Sequence, residues 1–205
     1  MPAGRGQGLS GVAPHPQVPV PALRAGWETG AMMDTTTGRT VVLDVWCELQ
    51  CPDCRTALAD LRALRARYGD ALVTRLRHFP LDKHRHSHAA AQAAEEAAAQ
   101  GQGRRYAEAV LERAEELGRR GEPLLVEVAR ELGLDAEEMD TALVDGRHML
   151  IVDADQAEGK AIGVTGTPTY VIGGERLDGS RSQEGLRERV EEIADRLLTE
   201  GGGAA

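Results

Sequence analysis

Two cysteines separated by two residues, Cys51 and Cys54, lie at a predicted junction between a strand and a helix. An apolar run precedes them, and a segment with helically spaced leucines follows. A thiol at the N-terminus of a helix faces unpaired backbone N–H groups and the positive end of the helix dipole, which stabilise its thiolate. Pro52 suits the first turn of a helix because its missing N–H costs nothing there. The pattern predicts a thiol–disulfide exchange site in which Cys51 is the exposed nucleophile and Cys54 is the resolving thiol.

The composition argues against several other classes of protein. The 205 residues include 41% hydrophobic and 28% charged side chains, which is ordinary for a soluble globular protein. The net charge of −9 argues against a nucleic-acid partner or an anionic membrane surface. Three cysteines are too few for a secreted scaffold held together by disulfides. No apolar run approaches the ~20 residues that span a bilayer, and the first 38 residues lack the pattern of a secretory signal. We therefore expect a cytoplasmic protein with no membrane partner.

The pattern along the chain divides it into five segments. Residues 1–38 are rich in glycine and proline and are predicted to form a disordered tail. Residues 39–86 contain a strand, a helix and a second strand, which predict a right-handed βαβ unit with parallel strands. Residues 87–162 carry five helical patterns, the second of them over 104–117, and form a predicted all-helical insertion. Residues 163–200 return to a β-hairpin followed by a last helix, and 201–205 are a frayed glycine-rich end.

This order of elements, β-α-β, a helical block and then β-β-α, predicts an α/β fold of the thioredoxin type with an insertion. Over about residues 41–198 the sequence also resembles the DsbA-like branch of thioredoxin-fold thiol–disulfide oxidoreductases, including its cytosolic, actinobacterial-type members. The segments that carry the resemblance are WCELQCPDC at 46–54, HFPLDKHRHSHAAAQAAEEA at 78–97, LGLD at 132–135 and GVTGTPTYVIGG at 163–174. The resemblance implies that the segments before and after the helical insertion form one thioredoxin-like domain.

The resemblance also implies roles for particular residues and partners. In such enzymes a cis-proline loop faces the catalytic pair, and Pro168 has the position of that proline. A cis X–Pro bond is uncommon, and it exposes the backbone of the preceding residue, Thr167, to a substrate segment that pairs as an added strand. A trans proline at the entrance to a strand is the alternative. The implied substrates are disulfide-containing proteins or small thiols, with a reducing or oxidising thiol partner. No metal or cofactor is implied beyond the redox-active disulfide of the catalytic pair.

Two positions depart from the family pattern. Relatives often bury an acid in the first strand, six residues before the nucleophile, and Val45 occupies that position here. Asp44 is expected to point to the opposite face of the sheet, and Glu48 is the other candidate proton carrier. Asp53 stands where strongly oxidising relatives have histidine, and its charge disfavours the thiolate of Cys51. We therefore expect a less oxidising couple than that of the periplasmic relatives.

Two alternative functions use other features of the sequence. Cys47 forms a C-x₃-C-x₂-C pattern with the pair, and with a histidine it could complete a metal-binding or redox-sensing module. Its simpler interpretation is a small buried residue at the end of the strand. The alternating His84, His86 and His88 could gather around zinc, although a solvated loop with one histidine near the catalytic groove is favoured. A glutathione-dependent transferase or isomerase of the same fold is the other alternative, but those enzymes generally use a single serine or cysteine.

Overall fold

The computed structural model describes residues 40–200, and the predicted tails at 1–38 and 201–205 lie outside the described residues. Four strands form one mixed sheet: β1 (Val41–Cys47), β2 (Leu72–His78), β3 (Thr169–Ile172) and β4 (Glu175–Asp178). Their order across the sheet is β2-β1-β3-β4. β1 and β2 are parallel, β3 is antiparallel to β1, and β4 is antiparallel to β3. The parallel pair is the one that the predicted βαβ unit requires.

The strand register brings two distant segments to one edge of the sheet. β1 and β2 pair along their whole length, ending with Cys47 opposite His78. β3 begins at the same edge, because Trp46 lies opposite Thr169. The segment that follows β1 and the segment that precedes β3 therefore meet where the predicted catalytic residues lie.

Eight α-helices pack around the sheet in the part of the chain from 40 to 200. They are α1 (Pro52–Tyr68), α2 (Ser87–Ala99), α3 (Gly103–Glu112), α4 (Ala114–Arg120), α5 (Pro123–Glu131), α6 (Ala136–Asp145), α7 (Met149–Ala161) and α8 (Leu186–Thr199). Six of them, α2 to α7, lie between β2 and β3, so the predicted α/β order with a helical insertion is confirmed. None of these helices is both long enough and apolar enough to cross a membrane.

The helical insertion contains six helices where the sequence predicted five. One helix was expected over 104–117, but α3 ends at Glu112 and α4 begins at Ala114. Arg113 lies between them with φ −107°, and its guanidinium donates to Glu127 of α5 at 2.8 Å. No glycine or proline marks this break, so the helical pattern runs through it without interruption. The expectation of a single helix was therefore wrong.

Alanines of α2 form the centre of the insertion. Their small side chains let α2 lie close to α3 and α6, both of which contact it. Tyr106 of α3 is fully buried and donates its hydroxyl to the backbone carbonyl of Leu125 at 2.8 Å. The alanines with no exposed surface are Ala90, Ala93, Ala94 and Ala97. The alanine-rich sequence of this segment thus allows α2 to pack closely against its neighbouring helices.

α7 packs against the sheet face that carries Trp46. The Trp46 side chain is 2% exposed, packs against Phe79, and donates its indole N–H to the backbone carbonyl of Asp155 at 3.0 Å. Gly159 of α7 lies directly on this indole: a Cβ atom there would come within 2.6 Å of Trp46 Nε1 and 3.0 Å of Phe79 Cδ2. A glycine inside a helix normally costs stability, and here it permits this close approach.

We expect Gly159→Ala to destabilise the protein although alanine is the better helix former. The added methyl group would have to displace a buried indole, and overpacking of this kind costs about 1–3 kcal/mol. The change is measured as the difference in the free energy of unfolding in urea. Gly118→Ala is the matched control, because its Cβ would meet only the flexible amide of Gln50, at 3.2 Å. Equal stability of both variants would contradict the proposed packing role of Gly159.

Candidate active site

The chain turns sharply between the end of β1 and the start of α1. The backbone N–H of Cys51 donates to the carbonyl of Glu48 at 3.0 Å, and the carbonyl of Cys51 accepts from the N–H of Arg55 at 3.1 Å. Cys51 is therefore the N-cap residue of α1, Pro52 is its first helical residue, and the second cysteine follows in the first turn. The two thiols lie close to each other within one cluster of buried residues. The strand-to-helix junction thus brings the predicted catalytic pair together.

Cys51 is buried, which contradicts the expectation of an exposed nucleophile. Both Cys51 and Cys54 are only 1% exposed. The Cys51 thiol donates to the backbone carbonyl of Thr167 at 3.6 Å, so the segment before β3 lies against it. The sequence predicts that Cys51 lies at a helix end. It does not predict that the distant segment containing Thr167 packs on Cys51.

The charged form of the thiols is disfavoured in this closed arrangement. The adjacent Cys54 thiol and burial both raise the pKa of the Cys51 thiol above its ordinary value. The Thr167 side chain and the backbone N–H of Cys54 lower that pKa, but they offset only part of the shift. Burial raises the pKa of Cys54, and the neighbouring Cys47 thiol raises it further. A base close to the pair is therefore needed to remove a proton at neutral pH.

Thr167 and Pro168 lie beside the catalytic pair and are joined by a cis peptide bond. Thr167 is 2% exposed, and its hydroxyl makes no hydrogen bond with the described residues. The carbonyl of Pro168 accepts from the N–H of Gly179 at 2.9 Å, which ties the segment to the end of β4. The structure thus places Thr167 and Pro168 where the sequence resemblance expected a loop facing the cysteines.

Glu48 is a buried carboxyl group close to the catalytic pair. Its side chain is 1% exposed, and its backbone N–H points at the Cys54 sulfur at 3.4 Å. One carboxylate oxygen accepts from the N–H of Gln50 at 2.6 Å, and the other is hydrogen-bonded to Nδ1 of His84. Burial raises the pKa of Glu48 from 4.5 to about 7, although the bond to His84 lowers it. A carboxyl group that exchanges protons near neutral pH therefore lies beside the thiols.

The other two acidic residues considered at the sequence level lie elsewhere. Asp44 points to the opposite side of β1 and accepts two hydrogen bonds from Arg75, at 2.7 and 2.6 Å. The structure does not bring Asp44 to the cysteines. Asp53 is exposed in the first turn of α1, and its backbone carbonyl accepts from the side chain of Gln183 at 2.9 Å. Asp53 is thus placed next to the pair at the surface, whereas Glu48 lies beneath it.

The three alternating histidines diverge. His84 turns inward to Glu48 and is 18% exposed, whereas the His86 ring packs against Gly121 in the turn before α5. His88 is exposed on the first turn of α2. The zinc site offered as an alternative is not formed by this arrangement, because the segment enters a helix at Ser87. The favoured interpretation had one histidine near the catalytic groove, and His84 lies there against Glu48. The contact between His84 and Glu48 was missed at the sequence level, because 36 residues separate them.

The metal-binding alternative used the three cysteines with a histidine. Among the described residues, the potential ligands that come within 4.8 Å of one another are His78, Glu95 and Asp155, all of which are buried. Asp155 accepts from the guanidinium of Arg77 at 2.8 Å and from the backbone N–H of His78 at 3.0 Å. The His78 ring lies 2.9 Å from Glu95. This group contains no cysteine, and its carboxylates already have partners, so it does not provide the alternative metal-binding module.

The fold and the site geometry agree with the comparisons with known proteins. The family model for a DSBA-like thioredoxin domain matches residues 42–191. The chain belongs to this family. The DSBA-like assignment accounts for the order of the elements and for the cysteine pair at the start of α1, and it confirms the resemblance inferred from the sequence.

Curated relatives of the chain include much longer proteins. The chain is 36% identical over 135 residues to the Na(+)/H(+) antiporter NhaA of Herminiimonas arsenicoxydans, covering 66% of this chain and 21% of that protein. It is 32% identical over 151 residues to the Na(+)/H(+) antiporter NhaA 1 of Mycobacterium sp. (strain KMS), covering 68% and 23%. The chain therefore spans about a fifth of the length of the curated relatives it matches.

Solved structures share the DSBA-like fold at low sequence identity. A thioredoxin-like oxidoreductase from Silicibacter pomeroyi matches with a TM-score of 0.65 and 23% identity, covering 78% of this chain and 87% of that one. MdbA, a thiol-disulfide oxidoreductase from Corynebacterium diphtheriae, matches with a TM-score of 0.62 and 18% identity, covering 75% and 83%. BdbD from Bacillus subtilis in its oxidised form matches with a TM-score of 0.64 and 16% identity, covering 76% and 88%. These similarities establish the fold.

Glu48→Gln should make the stability of the protein less dependent on pH. Burial raises the folded-state pKa of Glu48 from 4.5 to about 7. The protonated carboxyl group therefore contributes its full stabilisation below pH 4.5, and this stabilisation is lost as the pH rises to about 7. A shift of this size corresponds to about 3 kcal/mol. We therefore expect the free energy of unfolding of the wild type, relative to that of Glu48→Gln, to fall by this amount as pH rises through this range.

The measurement is urea unfolding of both proteins at a series of pH values across this range. Glu115→Gln is the matched control, because Glu115 is a glutamate whose side chain is 70% exposed. Its curve should run parallel to that of the wild type. A Glu48→Gln curve that also ran parallel to the wild type would show that Glu48 has no raised pKa.

Proposed function

We propose that this DSBA-like chain is a thiol–disulfide oxidoreductase that exchanges electrons with disulfide-containing proteins or small thiols. The observation that carries the proposal is the proximity of Cys51, which caps α1, to Cys54 in the first turn of the same helix, within one cluster of buried residues. Cys51 is the nucleophile because it caps the helix, and Cys54 is the resolving thiol because it follows in the first turn, where its sulfur faces the backbone N–H of Glu48.

The proposed reaction has two exchange steps. In the first, the Cys51 thiolate attacks one sulfur of a substrate disulfide, a mixed disulfide forms, and the other substrate sulfur leaves as a thiolate. In the second, the Cys54 thiolate attacks the Cys51 sulfur and releases the remaining substrate thiolate. The substrate gains two electrons, and the protein keeps the Cys51–Cys54 disulfide. A thiol partner then reduces that disulfide and restores the starting dithiol. The same steps in reverse oxidise a substrate dithiol, after which a disulfide partner reoxidises the Cys51–Cys54 pair.

Glu48 is the proposed proton carrier for this chemistry. Both thiols need a base, and the pKa of Glu48, raised to about 7 by burial, suits proton exchange at neutral pH. The hydrogen bond from Glu48 to the partly exposed His84 offers the proton a route to solvent. Asp44, the other candidate, is held by Arg75 on the opposite side of the strand.

Thr167 and Pro168 are the proposed contacts for the substrate next to Cys51. The buried Thr167 hydroxyl has no hydrogen-bond partner among the described residues, and its side chain lowers the pKa of Cys51. It is therefore suited to donate to the sulfur of Cys51 as charge develops there. We propose that a substrate segment lies along this loop and that the disulfide itself carries the electrons, with no metal or other cofactor. A cytoplasmic location remains a prediction.

Replacement of Cys51 should abolish turnover, whereas replacement of Cys54 should trap the substrate. Cys51→Ser removes the attacking sulfur and should lower the rate of insulin reduction by roughly a thousandfold or more. Cys54→Ala should retain the first step and accumulate the mixed disulfide, seen as a mass adduct that dithiothreitol removes. Turnover by Cys51→Ser at the wild-type rate would rule out the proposed nucleophile. A Cys54→Ala variant that turned over insulin without any adduct would rule out the resolving role of Cys54.

A further inference from the structure

Cys47 is a third cysteine whose thiol lies next to the catalytic pair. It is the last residue of β1, is 3% exposed, and belongs to the same cluster of buried residues as Cys51 and Cys54. The backbone N–H of the next residue, Glu48, lies 3.4 Å from the Cys54 sulfur, so the end of β1 contacts Cys54. The sulfur of Cys54 therefore has two thiol neighbours, one at the end of the strand and one at the start of the helix. The sequence alone favoured Cys47 as a small buried residue, and the structure gives it a reactive neighbour.

We propose that Cys47 attacks the oxidised catalytic pair and forms a second disulfide, Cys47–Cys54, which frees Cys51. This inference rests on the proposed function, because the Cys51–Cys54 disulfide is its starting point. A disulfide sulfur is open to attack by any thiolate that reaches it, and the end of β1 that carries Cys47 contacts the Cys54 sulfur. Cys54 thereby has two alternative disulfide partners within one oxidised protein.

The exchange is balanced within the molecule. Cys47 loses its proton, and its thiolate attacks the Cys54 sulfur. The Cys47–Cys54 bond forms as the Cys51–Cys54 bond breaks, and Cys51 leaves as a thiolate that takes up a proton. The number of disulfides is unchanged, so neither an oxidant nor a reductant is consumed.

The surroundings of Cys51 favour it as the leaving group. The Cys54 thiol is the largest cause of the raised pKa of Cys51, and that thiol no longer exists once Cys54 is in a disulfide. The Thr167 side chain and the backbone N–H of Cys54, which lower the pKa of Cys51, remain. The start of α1 adds the positive end of the helix dipole. A thiol with a lower pKa leaves faster in thiol–disulfide exchange.

The consequence is an oxidised protein that still carries its nucleophile. With Cys54 held by Cys47, the free Cys51 can capture a second substrate sulfur. Its mixed disulfide cannot be resolved by Cys54 until Cys47 is displaced, which leaves time for another thiol of the substrate to attack. This sequence rearranges substrate disulfides without net electron transfer. The geometry therefore points to disulfide isomerisation as an activity of the same site.

The first test uses Cys51→Ser, which leaves Cys47 and Cys54 as the only cysteines. Diamide treatment of the folded variant should produce an intramolecular disulfide, seen as the loss of two hydrogen atoms by mass spectrometry. Cleavage after Glu48 by the protease Glu-C should leave two fragments joined by that disulfide. The matched control is Cys54→Ser, which keeps Cys47 and Cys51 but removes the sulfur that both contact, and it should not form the joined fragments at a comparable rate.

The second test uses the wild-type protein. After oxidation with glutathione disulfide, the protein is quenched with acid, labelled with N-ethylmaleimide in denaturant, and cleaved with Glu-C, because the thiols are buried in the folded protein. We expect two populations: one labelled on Cys47, and one labelled on Cys51 whose fragments are joined across Glu48. Label found on Cys47 alone, or no joined fragments from Cys51→Ser, would overturn the exchange while leaving the proposed function intact. A wild-type protein that formed no disulfide at all would overturn the proposed function as well.

Discussion

The contact between the Cys51 and Cys54 sulfurs depends on where β1 ends. β1 and β2 pair in parallel and end together at Cys47 and His78, so the chain must leave the sheet at that edge and turn into α1. β3 starts from the same edge in the opposite direction, which brings the Thr167–Pro168 segment against the turn. The site is therefore a product of the mixed sheet, since a helix end without β3 would leave Cys51 in solvent.

Burial outweighs the helix dipole in setting the charge at this site. The end of a helix stabilises a nearby charge by about 0.3–1 kcal/mol when the charge is exposed. Burial can shift a pKa by up to about 3–5 units, each worth about 1.4 kcal/mol. In the reduced, closed pair the thiols of Cys51 and Cys54 are therefore protonated, and burial raises the pKa of Glu48 as well.

The sequence was sufficient for features that depend on local pattern. The βαβ unit followed from apolar runs and turn residues, and the cysteine pair at the start of α1 followed from its spacing and from Pro52. The burial of Cys51, the bond from Glu48 to His84 and the contact of Cys47 with Cys54 depend on how distant segments pack, which a periodicity does not describe. The break between α3 and α4 at Arg113 was also missed. No glycine or proline marks it, and Arg113 donates to Glu127 in α5, a contact that the helical pattern does not show.

The most direct measurement of the central claim is a redox titration in glutathione buffers, with free thiols counted by alkylation and mass spectrometry. If Cys51 and Cys54 form the working pair, two of the three thiols should disappear together in one two-electron step. The burial of the pair and the exposed carboxylate of Asp53 place its midpoint at roughly −200 to −270 mV. Three thiols that persist at every potential, or a midpoint near about −120 mV, the value typical of a strongly oxidising DsbA, would contradict the account.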